Sequence, residues 1–231
     1  MEAARKIHAQ TYRFYRGADL KKEECKVFLK MSGFKELIKN AWKGGGLVVG
    51  NDGEGIYLYG RYWTIYLERT MIPKKAKAAI MELTGELPEP GQVFKSWQNQ
   101  ENQYELKESY LSESYCPDVY TMKTWYKTTG VVFKEFGQHD RVLQDKKSLT
   151  CILIPAHIYD MIDRSSMEKG EYDPEGPAGK YDGTSERTVV YWQNDACTLG
   201  VATCVVTADS KQKFLLDHMK HYDYTKGEKA K

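Results

Sequence analysis

Three short landmarks recur in the same order in the two halves of the chain, and this restricts its architecture more than any single motif. "IKNAWKGGGLVV", Ile38 to Val49, is answered by "MKTWYKTTGVV", Met122 to Val132, which sets Lys123 and Lys127 on Lys39 and Lys43. "MIPKKAKAAI" places Ile72, Pro73 and Ile80 as "LIPAHIYDMI" places Ile154, Pro155 and Ile162. Trp97-Gln98-Asn99 returns as Trp192-Gln193-Asn194. Collinear recurrence of this kind is the signature of a duplicated supersecondary unit. The spacing lengthens only between the second and third landmarks. The extra residues fall in "MEKGEYDPEGPAGKYDGTSE", Met167 to Glu186, whose glycine, proline and acid predict a surface insertion.

Within the first copy the pattern alternates between periods. "CKVFLKM", Cys25 to Met31, alternates like a strand, and Ser32 is a good N-cap for a helix. Phe34, Leu37, Ile38, Ala41 and Trp42 then form one apolar helical face. Gly44 to Gly46 end that helix, "LVVG" starts a strand, and "NDGEG", Asn51 to Gly55, has the chemistry of a tight turn into "IYLYG" and "YWTIYLE". Pro73 opens a second helix with Ala76, Ala79, Ile80 and Leu83 inward, and "QVFKSWQN" and "QYELKES" read as strands. The fold expected is α+β, two tandem copies of a strand-helix-strands-helix-strands unit, with helices on one face and antiparallel sheets on the other. Residues 1–24 form an N-terminal arm, 25–110 the first unit, 111–225 the second with its insertion at 167–186, and 226–231 a charged tail. The third helix would lie in "PDVYTMKTWYK" and the fourth in "AHIYDMIDR".

Several chemistries have little support. The glycines near Gly46 follow a helix, whereas phosphate cradles precede one, because free N–H groups and the positive dipole end lie at the N-terminus. Neither a Walker-type nor a dinucleotide-type glycine motif is present. The five cysteines, Cys25, Cys116, Cys151, Cys197 and Cys204, are odd in number and widely spaced, which reads as reduced thiols in a cytoplasmic protein. His218 and His221 have H-x-x-H spacing, but the plainer reading is a solvated face. His139-Asp140 and Cys151-His157 lack any nucleophile context. No catalytic residue, metal or cofactor is assigned. The tryptophans at matched positions read as packing residues rather than base-stacking platforms. No run of 18 apolar residues exists, so no membrane span is expected.

The charge balance, 34 Lys and Arg against 32 Asp and Glu, leaves a formal +2, so any polyanion site must be local. The duplicated element order resembles that of the DNA sliding clamps, the ring-shaped processivity factors of replicative polymerases, over about residues 25–225. In that family two helices per domain line the inside of a ring and the sheets form its outside. The resemblance implies a homotrimeric ring of two-domain chains, contact with duplex DNA, and docking of a polymerase or other replication protein around 105–122. It also implies phosphate-contacting lysines on the helices: Lys35, Lys39 and Lys43 on the first, Lys74, Lys75 and Lys77 on the second, Lys123 and Lys127 on the third. The fourth helix, with Asp160 and Asp163, departs from this pattern. The alternative is a virus- or mobile-element-encoded inhibitor, a protein-binding module without catalysis, using its acidic insertion and aromatic surface.

Overall fold

The computed structural model describes residues 26–104, 117–135, 137–164, 174–182 and 187–225. The expected arm, the charged tail and residues 105–116, which hold the expected division between units, lie outside them. The first helix, α1, runs Met31–Lys43 and buries Phe34, Leu37 and Ile38. Ala41 and Trp42 pack half-buried against the same cluster, so the apolar face read from the sequence is the face that docks. Burying each of its large side chains contributes about 1.5–3 kcal/mol. The helix stops at Gly44, whose N–H bonds back to the Asn40 and Ala41 carbonyls, and Gly46 follows at φ +94, a region open chiefly to glycine.

Strands β1 (Leu47–Asn51), β2 (Gly55–Tyr59) and β3 (Trp63–Glu68) form an antiparallel meander. The first turn is held by its own side chains. Asn51 Oδ1 accepts the Gly53 N–H, and Asp52 Oδ1 accepts those of Glu54 and Gly55. Helix α2 (Lys74–Thr84) starts after Pro73, ends at left-handed Gly85, and buries Ala76, Ala79 and Ile80. Strand β4 (Val93–Ser96) then returns to pair with β1.

The second half differs from expectation in kind. "VYT", Val119–Thr121, is a 3-10 turn, and Thr124–Glu135 is strand β5, not the third helix. Its threonines, valines and aromatics crowd a helix and suit a pleated surface, which outweighs the helical spacing of Lys123 and Lys127. Strands β6 (Gln138–Asp145) and β7 (Cys151–Pro155) come next, and the fourth helix, α3, is only Ala156–Tyr159. The expected surface insertion contains β8 (Glu175–Asp182), an interior strand between β5 and β9 (Arg187–Gln193). Its small residues are required there, since a Cβ on Gly179 would sit 2.6 Å from the Tyr126 ring. β10 (Cys197–Ala202) and α4 (Lys211–Met219) complete the order. At the start of the described chain, only Leu29 makes a bridge, to Ile162, where the sequence predicts a strand from Cys25 to Met31, and Lys30 rather than Ser32 caps α1.

The ten strands form one sheet in the order β4-β1-β2-β3-β10-β9-β8-β5-β6-β7. The halves meet inside it, four strands from one edge and six from the other, where Leu67 of β3 faces Cys197 of β10. Alternate residues serve opposite faces. Leu143, Ile154, Val190, Trp192 and Leu199 join the cluster under α1, α2 and α3, whereas Val142 and Leu153 pack with Leu216 and Met219 of α4. Helices therefore cover both faces, not one, as the α4 side shows. Landmark by landmark, Pro73 and Pro155 both precede a helix in extended conformation. By contrast, Ile38–Val49 spans α1 and β1, while its partner lies largely on β5.

Candidate nucleic-acid interface

Helices α1 and α2 pack against each other over the main core and turn their lysines outward. Lys35, Lys39, Lys43, Lys74 and Lys75 are exposed and Lys77 is half-buried. Among the described residues none of them forms an ion pair; the pairs present are Arg141–Asp160 and Lys213–Asp217. Neither helix carries an acid in its first turn or a side-chain cap at its start. The arrangement at α2 is unusual for an isolated helix, because lysines in a first turn oppose the macrodipole. Ala76 and Lys77 donate their N–H groups to the Pro73 carbonyl, so the amides of Lys74 and Lys75 remain at the open helix end beside three ammonium groups. At α1 the fit runs the other way, with Lys43 in the last turn, where a cation is favoured.

Lys123 and Lys127 do not join this surface. Lys123 is exposed in the link before β5. Lys127 lies on β5 between Tyr126, which enters the main cluster, and Thr128, whose hydroxyl is 2.9 Å from that of Tyr159. Strand alternation points Lys127 to the opposite side, where its Nζ donates to Thr225 Oγ1 at 3.3 Å.

Other cations stand near α3: Arg164, within the stretch read as the fourth helix, and Lys30 and Arg141, which the sequence reading does not single out. Arg141 Nη2 lies 2.8 Å from Asp160 Oδ1, and Lys30 Nζ donates to the Asp160 carbonyl at 2.9 Å. The Arg141 and Arg164 guanidinium carbons sit 5.5 and 4.5 Å from the Tyr159 ring centre. Arg141 shares a sheet face with Leu143, two residues on, so it projects toward the helices.

Burial keeps the Cys151 and Cys204 thiols in their protonated form at neutral pH. Burial pushes Cys151 up to about 11, and burial with the adjacent Asp140 carboxylate pushes Cys204 up to about 12. Among the described residues no cluster of His, Cys, Asp and Glu has metal-site geometry, and no helix is long and apolar enough to cross a membrane.

Behind the C-terminal end of α1, Gly46 is packed against Trp97, whose Nε1 would lie 2.6 Å from an added Cβ, and Lys95 Nζ covers the Trp97 ring at 4.5 Å. Gly46→Ala combines that clash with an unfavourable φ and is expected to cost about 1–3 kcal/mol, read as a lower urea midpoint at unchanged slope.

No protein-family model and no curated protein sequence matches the chain. Among solved structures, it is similar to the beta subunit from DNA polymerase of Streptococcus pyogenes at 9% identity and TM-score 0.33, covering 79% of this chain and 64% of that one. A putative DNA polymerase III beta subunit from Eubacterium rectale gives 10% identity and TM-score 0.32, with 80% and 65% covered. The Bartonella birtlesii DnaN sliding clamp bound to griselimycin gives 9% and 0.29, with 80% and 66% covered. The chain thus spans just under two thirds of the length of these structural neighbours.

Proposed function

We propose that the chain is a non-catalytic DNA-binding protein whose α1–α2 face contacts the phosphates of duplex DNA without reading bases, as a clamp-like tether for replication proteins. The observation that carries the reading is the first turn of α2. Lys74, Lys75 and Lys77 crowd an uncapped helix start with no acid to offset them, an arrangement that favours a bound anion over bulk water. Lys35, Lys39 and Lys43 extend the same character along α1. Lys30, Arg141 and Arg164 add cations near α3, although Asp160 neutralises part of that end. Descent from two like units is part of the proposal. It is supported by the matched placement of Pro73 and Pro155 directly in front of α2 and α3.

Affinity for a short duplex of arbitrary sequence, measured between 50 and 200 mM salt, tests the phosphate reading. Six lysines acting together predict a slope of log K against log salt of roughly −4 to −6. A slope near zero, or no retention at low salt, would sink it. The trimeric ring is a separate part of the proposal. Its test is solution mass, where three times 26.6 kDa is expected and a monomer at micromolar concentration rules the ring out while leaving phosphate contact standing. Both sheet edges are partly occupied, β4 by Gln103 bonding Lys95 and β7 by the Cys204 N–H on the Leu153 carbonyl, so ring closure through strands requires those bonds to yield.

A second reading, a protein-binding inhibitor, is favoured by the aromatic surface at and beyond α4, where Phe214 and Tyr222 are 62% and 66% exposed. It predicts no salt-dependent DNA retention.

A further inference from the structure

Independently of the DNA reading, we propose that a cleft of about 390 Å³ at the C-terminal ends of α1 and α2 receives an arginine side chain from a protein partner. Its walls include Trp42, Trp97 and Tyr104, with Glu86 and Glu101 as its charged groups; among the described residues no lysine, arginine or histidine lines it. Aromatic faces and carboxylates without a competing cation in the lining select a cationic guest.

The carboxylate is held in place. Glu86 Oε1 accepts from the Tyr104 hydroxyl and from Asn102 Nδ2 at 2.8 Å, and the same amide donates to the Thr84 carbonyl at 2.9 Å. The bonds from Tyr104 and then Asn102 hold the Glu86 carboxyl below its ordinary range, so it is charged at neutral pH. α2 ends beside it at Gly85, so the helix's negative end adds to the same potential. The rings are fixed as well. Trp42 Nε1 donates to Ser96 Oγ at 3.2 Å, and Trp97 packs against Gly46 and under Lys95, which covers that ring without lining the cleft.

Arginine fits better than a sugar or a simple ammonium. Its planar guanidinium stacks on an indole while its fork meets a carboxylate. The chain already makes this combination once, where Arg141 lies over Tyr159 and directs both Nε (3.2 Å) and Nη2 (2.8 Å) to Asp160. At the mouth, exposed Asn99 and Gln100 offer neutral donors and acceptors to the backbone carrying the guest.

The test is a nitrogen-15 NMR titration of the full chain with an acetylated, amidated tetra-arginine peptide. Saturable shifts are expected at the indole N–H signals of Trp42 and Trp97, with those of Trp63 and Trp192 unmoved. Trp97→Ala should weaken binding about threefold to fivefold, and Glu86→Gln should weaken it severalfold while leaving the melting curve and the remaining spectrum unchanged. Retained binding in the Lys35/Lys39/Lys43 glutamate variant separates this site from the DNA face. Shifts that bypass Trp42 and Trp97, equal affinity in Glu86→Gln, or the same indole shifts with neutral maltotriose would each overturn the proposal.

Discussion

Replacing Lys35, Lys39 and Lys43 together by glutamate is expected to lower duplex affinity by on the order of 100-fold at ~0.1 M salt and to flatten the salt slope by roughly 3. Each lysine accounts for about one released counterion, and the introduced carboxylates add repulsion. The three side chains are exposed and make no ion pair among the described residues, so fold and melting temperature should be little changed. Glutamine at the same positions should give a smaller loss of affinity with a similar change in slope, which separates charge from shape. The informative control is Lys123→Glu with Lys127→Glu. Lys127 faces the other side of the sheet and bonds Thr225, so this pair should leave affinity within about twofold. Equal losses from both sets would show that binding follows net charge and not this surface.

Phe34→Ala should be the most destabilising truncation on α1. The ring is fully buried in the cluster that also holds residues of α3 and of the sheet, Ile158 and Leu58 among them. Loss of transfer energy together with the cavity left behind costs about 3–5 kcal/mol. Total stability for a domain is about 5–15 kcal/mol, so the variant should retain only part of it at room temperature. Urea unfolding followed by far-ultraviolet circular dichroism is the measurement, with the midpoint falling and the slope unchanged. Met81→Ala on α2, 47% exposed, provides the contrast and should stay within about 0.5 kcal/mol. If the two variants behave alike, the helix pair does not dock as described.

The parts of the fold legible from the sequence are those with one strong, local signal. The apolar stripe Phe34–Leu37–Ile38–Ala41–Trp42 marks α1, the glycines mark its end, and Asn51 to Gly55 mark the hairpin between β1 and β2. The second half departs from its sequence reading for a physical reason. Comparison with the first copy favours a helix within Pro117–Lys127, but threonine and aromatic side chains there satisfy β5 through cross-strand packing that sequence spacing does not display. β8 is hidden by its composition. Gly, Pro and acid signal a loop, yet in this sheet Gly179 makes room for Tyr126, so smallness reflects crowding and not exposure. The candidate surface is half legible in the same sense. Helical periodicity puts the α1 and α2 lysines outward, but only the fold shows that Lys127 points away from them and that Lys30 and Arg141 converge on Asp160.

The contact between β3 and β10 also governs how the chain can be made. β3 has β2 as a neighbour as soon as the first hairpins form, but its other side stays open until Cys197–Ala202 has been synthesised. A pairing this distant in sequence closes late and raises contact order, which slows folding. During that interval the nascent chain presents a hydrophobic strand edge, Trp63 to Leu67, able to pair with a wrong strand. Chain elongation rate and chaperone supply should therefore affect the yield of this protein more than the stability of either half would suggest.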